Sequence, residues 1–132
     1  MDGEGRFKIK DLLVEAGAPR EVYEEYSRSG RIDEEVKLPD KEEVERVANI
    51  ISCLSNPKRL MIIALLSKPH CTCVLSKLIG EDQSLVSHHV AKLKSCGLIS
   101  EKRIGRSRMY VRIDEALKKV LKELEELVSF RD

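Results

Sequence analysis

The chain has 132 residues, 36% of them charged and 4% aromatic, with a formal net charge of +1. That length suits one ordinary domain with an appended element, and a core so poor in aromatics must rest on Leu, Ile and Val. No apolar run approaches the roughly 20 residues that span a bilayer. The N-terminal MDGEGRFKIKD lacks the apolar stretch of a secretory signal, so a soluble cytoplasmic protein with no membrane partner is expected.

Residues 1–40 form an acidic extension, with seven Lys/Arg against eleven Asp/Glu. The spacing predicts two short helices in it. Residues 7–16 make the first, stopped by Gly17-Ala18-Pro19. Residues 20–27 make the second, with Pro19 at its first position and an end near Gly30. Leu38-Pro39-Asp40 reads as a linker and cap. A second domain, residues 41–132, opens with a helix from Asp40 to about Ser55, in which Val44, Val47, Ala48, Ile51 and Leu54 recur at helical spacing. Ser55-Asn56-Pro57 breaks it and starts another. The run LMIIALL is apolar nearly all round and predicts a central core helix.

Residues 71–79 predict a short helix with Val74, Leu75, Leu78 and Ile79 inward. Gly80-Glu81-Asp82-Gln83 is a tight turn, residues 84–96 a further helix, and Gly97 its C-terminal cap. Two helices joined by a tight glycine-containing turn are the helix-turn-helix pattern. Beyond Gly97 the apolar period changes. Leu98, Ile99 and Ile104, then Met109, Tyr110, Val111 and Ile113, flank a Gly105-Arg106 turn. That pattern predicts a β-hairpin, a wing with a basic tip. Asp114 is expected to cap a last helix whose broad stripe of Leu117, Val120, Leu121, Leu124, Leu127 and Val128 calls for a partner copy. The expected fold is mainly α with a small β-hairpin, a winged helix-turn-helix at 44–113.

The basic excess lies in residues 68–113, nine Lys/Arg against three Asp/Glu. On a helical wheel of 84–96, Val86, Val90 and Leu93 turn inward, while Ser84, Ser87, His88, Ala91, Lys92 and Ser95 turn outward. A small polar face of that kind can enter a major groove about 12 Å wide and offer donors to base edges. Gln83 at the end of the turn joins it. Lys92 and Lys94 on the helix, and Lys102, Arg103, Arg106, Arg108 and Arg112 on the hairpin, flank this face, where arginines reach phosphates or the minor groove. His88 is expected to face DNA and His89 to be partly buried. Adjacent helical positions point about 100° apart, so the two do not readily chelate one ion.

These segments, LSNPKRLMIIALL, HCTCVLSKLIGEDQSLVSHHVAKLKSCGLI and EKRIGRSRMYVRI, closely resemble the ArsR/SmtB family of small dimeric repressors over residues 44–128. The resemblance implies a homodimer that binds palindromic operator DNA and releases it when a metal or other inducer binds. It also implies dimerisation through the first and last core helices.

Cys71-Thr72-Cys73, at the start of the first helix of the motif, is the sharpest chemical feature. Two thiolates can hold one thiophilic ion at about 2.3 Å each if the helix start is distorted. The pull on that turn would favour a DNA-incompetent state. The resemblance points the same way, since arsenite-sensing members carry Cys-x-Cys here, often with a third Cys three residues on. This chain has Ser76 there, so His70, Cys53, Cys96 or the partner chain would have to complete a site for arsenite, cadmium or zinc. The family's other site, on the last helix, needs His, and residues 116–131 contain none.

Cysteines in a reducing cytoplasm are expected to be thiols. Cys53 and Cys96 read as fillers of small apolar slots, while a regulatory disulfide of Cys71 with Cys73, or of either with Cys53, is a second reading. A ligand-free interaction module is a third. An enzyme is not expected, for the sequence offers no nucleophile–base pair, phosphate loop or complete metal-hydrolase motif.

Overall fold

The computed structural model describes residues 5–131. Its described residues divide into two compact units, one drawn from 5–41 with 129–131 and one spanning Glu42–Val128. In the first, a ribbon pairs β1 (Arg6–Lys8) antiparallel with β2 (Glu35–Lys37), around α1 (Ile9–Ala16) and α2 (Arg20–Arg28). Ile9 and Leu13, one turn apart on α1, are buried, whereas α2 buries nothing fully. Gly17, in the left-handed region at φ 61°, ends α1 by donating to the carbonyls of Leu13 and Val14. Two expectations change here. Residues 7 and 8 belong to a strand rather than the helix, and Pro19 stands one place before α2, at its N-cap.

The second unit takes all but the first residue of α3 (Lys41–Leu54) and continues with α4 (Pro57–Leu65). Asn56 explains the break between them. Its side chain accepts the amides of Lys58 (2.8 Å) and Arg59 (3.2 Å), and Pro57 fills a first-turn position that has no use for an amide hydrogen. α4 buries Ile62 and Ile63 but leaves Leu60 and Met61 more than half exposed, so it is a one-sided helix and not one enclosed all round. α5 (Thr72–Ile79) and α6 (Gln83–Ser95) follow, separated by Gly80, φ 68°, and two further residues. In α5 the inward position is Leu75, wholly buried, while Val74 and Leu78 are exposed, contrary to the expected four-residue apolar face.

The end of α6 shows how the chain turns into the wing. Gly97, φ 75°, donates to Lys94 O at 3.0 Å and Leu98 donates back to Leu93 O at 3.1 Å. This double closure satisfies two orphan carbonyls, and the accompanying Leu93 and Leu98 side chains are both wholly buried. β3 (Ile99–Ile104) and β4 (Ser107–Arg112) then pair antiparallel with Ile104 opposite Ser107, leaving Gly105-Arg106 as the two-residue turn.

Backbone bonds pin this hairpin to the rest of the unit: His70 and Tyr110 exchange amide and carbonyl at 2.9 and 3.0 Å, and Ile113 donates to Leu98 O at 2.8 Å. α7 (Asp114–Val128) starts from the Ile113 carbonyl, which accepts from Ala116 and Leu117. Asp114 is thus its first residue and not its cap, and its carboxylate accepts from Arg112 at 2.6 Å. The core is one aliphatic cluster in which Ile62, Leu66, Leu75, Val86, Leu93 and Leu98 are sealed from solvent. Among the described residues no helix is long and apolar enough to cross a membrane.

Candidate nucleic-acid interface

The register of α6 is set by what it buries. Val86, His89, Val90 and Leu93 turn into the core. Gln83, Ser84, Ser87, His88, Ala91, Lys92 and Ser95 are consequently exposed on the opposite side. Ser95 is spent locally, its hydroxyl donating to Lys92 O at 2.7 Å. The two histidines diverge as their spacing requires, with His88 in solvent and His89 8% exposed. Burial first, then the positive charge of Arg59, holds the His89 imidazole below its ordinary value of 6.5. Leu85 is also exposed, on the first turn of α6. Helical periodicity predicts only small polar and basic groups outward, so this apolar side chain is an addition to the face.

On the wing, Lys102, Arg103, Arg106 and Arg108 are all exposed. Arg103 and Arg108 stand directly opposite one another across the hairpin. Like charges so placed repel, and a polyanion laid against them relieves the repulsion. Two other basic residues are diverted. Arg112 lies against the C-terminal end of α4, donating to the carbonyls of Ile63 (3.3 Å) and Ala64 (3.5 Å) as well as to Asp114, so it braces the fold. Lys94 reaches the Glu101 carboxylate at 3.4 Å, and Arg108 approaches the same group at 3.8 Å. Desolvation of Glu101 is outweighed by hydrogen bonds from Tyr110 and Lys94, so its carboxyl titrates below the ordinary value. Tyr110 responds in the opposite sense, raised by its own burial and then by Glu101. The strand register, with Glu101 opposite Tyr110, was the signal that could have revealed this group.

The cysteines correct the expectation of four thiols, because the structure joins Cys71 to Cys73 and Cys53 to Cys96. Cys53 is buried in the last turn of α3 and Cys96 is the residue after α6, so their bond ties one helix end to the other. Cys71 is the N-cap of α5, and its sulfur accepts the Val74 amide at 3.3 Å. Around the Cys71–Cys73 pair lies a groove of about 380 Å³ lined by Thr72, Gln83, Ser87, Arg106, Ser107, Arg108 and Tyr110. Four of the residues expected to face DNA therefore share a groove with the cysteine pair. Ser84, His88, Lys92 and Arg103 stand outside its lining, and so does His70, whose backbone is paired with Tyr110. Among the described residues no group of three or more His, Cys, Asp or Glu side chains is arranged to hold a metal ion.

A family described as bacterial regulatory protein, arsR family, matches residues 56–101. The uncharacterized HTH-type transcriptional regulator MJ1325 of Methanocaldococcus jannaschii is 31% identical over 88 residues, 65% of this chain and 99% of that protein. The HTH-type transcriptional regulator NmtR of Mycobacterium tuberculosis is 35% identical over 85 residues, 64% of this chain and 71% of its own length. The crystal structure of NolR from Sinorhizobium fredii superimposes with a TM-score of 0.58 at 29% identity, over 70% of this chain and 96% of that one.

Proposed function

The chain belongs to the ArsR family of DNA-binding transcriptional regulators, which are not enzymes, and from that premise we propose how it reads DNA and what makes it let go. α6 lies in the major groove and presents Gln83, Ser84, Ser87, His88 and Lys92 to base edges and flanking phosphates. The wing follows the backbone with Arg103, Arg106 and Arg108. The observation that carries this reading is the convergence of an exposed, small, polar helix face with exposed wing arginines, two of which stand directly opposite one another. Leu85 adds an apolar contact suited to a thymine methyl.

The protein acts as a homodimer on an inverted-repeat operator. Exposed Val44 and Ile51 on α3, with Leu121 and Val128 on α7, supply the apolar surface for the partner copy. In a mobility-shift assay, the protein is expected to retard an inverted-repeat duplex from its own promoter in preference to a scrambled duplex. Retardation of neither, with the dimer intact, would favour the ligand-free interaction module instead.

Control lies at Cys71 and Cys73, whose groove is shared with Gln83, Ser87, Arg106 and Arg108. Chemistry on those sulfurs acts directly on the reading surface. Among the described residues, a thiophilic ion such as arsenite, cadmium or zinc would find these two sulfurs with no third donor arranged beside them, and it would find them after the disulfide is opened. One chain's donors therefore fall short of a closed three- or four-ligand site. The pairing of the two sulfurs favours the redox reading, with the disulfide and dithiol states differing in operator affinity. Operator binding by the oxidised and dithiol-reduced forms, compared in the parent and in Cys71→Ser, tests it. Equal affinities throughout would assign the pair a structural role.

A further inference from the structure

We propose that the groove around Cys71 and Cys73 is a reaction site for an anionic low-molecular-weight thiol, which opens the disulfide by forming a mixed disulfide at Cys73 and thereby occupies the DNA-reading surface. The proposal deepens the control assigned above, and only its consequence for operator binding rests on that reading.

The two sulfurs are not equivalent. Cys73 is exposed, whereas Cys71 is half-buried and its sulfur accepts the Val74 amide at the start of α5. In thiol–disulfide exchange the accessible sulfur is attacked, and the sulfur that better carries negative charge leaves. An amide at a helix start stabilises a thiolate, so both preferences select attack at Cys73 and departure of Cys71. The groove decides which thiol arrives. Arg106 and Arg108 line it and no carboxylate does; Glu101, outside the lining, stands 3.8 Å from Arg108 and leaves Arg106 uncompensated, so the groove draws an anion. Its volume of about 380 Å³ falls within the range of about 300–1,000 Å³ of small-molecule sites.

The step balances. The incoming thiol leaves its proton in solvent, and its thiolate bonds to Cys73 Sγ. The Cys71–Cys73 bond breaks, and its electron pair passes to Cys71 Sγ as a thiolate. A second equivalent of the same thiol releases the small-molecule disulfide and leaves the dithiol, a two-electron reduction overall. While the mixed disulfide stands, its negatively charged group lies against the arginines that would otherwise meet phosphate.

The oxidised protein, without DNA, is mixed with glutathione, 2-mercaptoethanol or cysteamine at matched thiolate concentration, quenched in acid and mapped by peptide mass. The expected first adduct is on Cys73, formed by glutathione at least about tenfold faster than by cationic cysteamine, a ratio that collapses toward one in an Arg106→Ala, Arg108→Ala double variant. First adducts on Cys71, equal rates for the three thiols, or an unchanged ratio in the double variant would each overturn it. For the consequence, Cys71→Ser is loaded at Cys73 from oxidised glutathione. The loaded form should bind operator at least about tenfold more weakly than the unloaded form. Equal binding by the two forms would overturn the occupancy claim. If neither form binds operator at all, the DNA reading fails and the peptide masses alone decide the chemistry.

Discussion

Arg106 and Arg112 carry the same charge on one hairpin, and their surroundings give them different work. Arg106 projects from the exposed turn, while Arg112 is held by Asp114 and the carbonyls of Ile63 and Ala64. Arg112→Ala is expected to lower unfolding free energy by about 1.5–3 kcal/mol, the range for hydrogen bonds to a charged group, read by urea denaturation. Arg106→Ala should leave that midpoint unchanged.

His89 makes a separate prediction. Its imidazole titrates below 6.5 in the folded protein, by burial and then by the charge of Arg59. Below 6.5 the unfolded chain therefore binds a proton that the folded chain refuses. Stability should fall as pH drops through about 6.5, and His89→Gln should flatten that slope in thermal melts at several pH values. The outward positions of α6 were legible in the sequence because helical periodicity alone separates Val86, Val90 and Leu93 from Ser84, Ser87 and His88. Arg112's role was not, since it depends on a strand end passing α4, which no local pattern encodes.

Among the elements, the Cys53–Cys96 bond joins the end of α3 to the end of α6 across 43 residues of chain. Loop-closure entropy for that span amounts to about 4 kcal/mol. Cys96→Ser should lose up to that amount in denaturant titrations under oxidising conditions, and little under reducing ones. This pairing was hidden because either cysteine alone looks like a small core residue, and only tertiary packing places them together.

The boundaries of α3 to α7 were readable within a residue or two, as Pro57, Gly80, Gly97 and Gly105 each punctuate a change of element. The β1–β2 ribbon was not. Its strands are three residues long, are flanked by charge rather than clean alternation, and pair residues about thirty positions apart, as Phe7 with Val36. α5 misled for a different reason. Only one stripe of an eight-residue helix meets the core, so Val74 and Leu78 stay exposed although they are apolar.

For the whole molecule, a near-neutral total conceals a basic middle segment next to acidic ends. Leu121, 63% exposed on α7, is expected to lie in the dimer interface. Leu121→Glu should shift sedimentation toward the monomer and abolish binding to an inverted repeat, while the secondary structure persists.

Joint engagement of duplex DNA by α6 and the wing is tested most directly by salt-dependent affinity. Fluorescence anisotropy would follow the parent, Lys92→Ala and Arg106→Ala on one inverted-repeat duplex from low to high salt. The parent is expected to show a linear fall of log affinity with log salt. Each variant should bind more weakly, with its slope reduced by about one for every phosphate left without its cation, and by twice that in a dimer. A salt-independent affinity, or three superimposable lines, would contradict DNA reading by this surface.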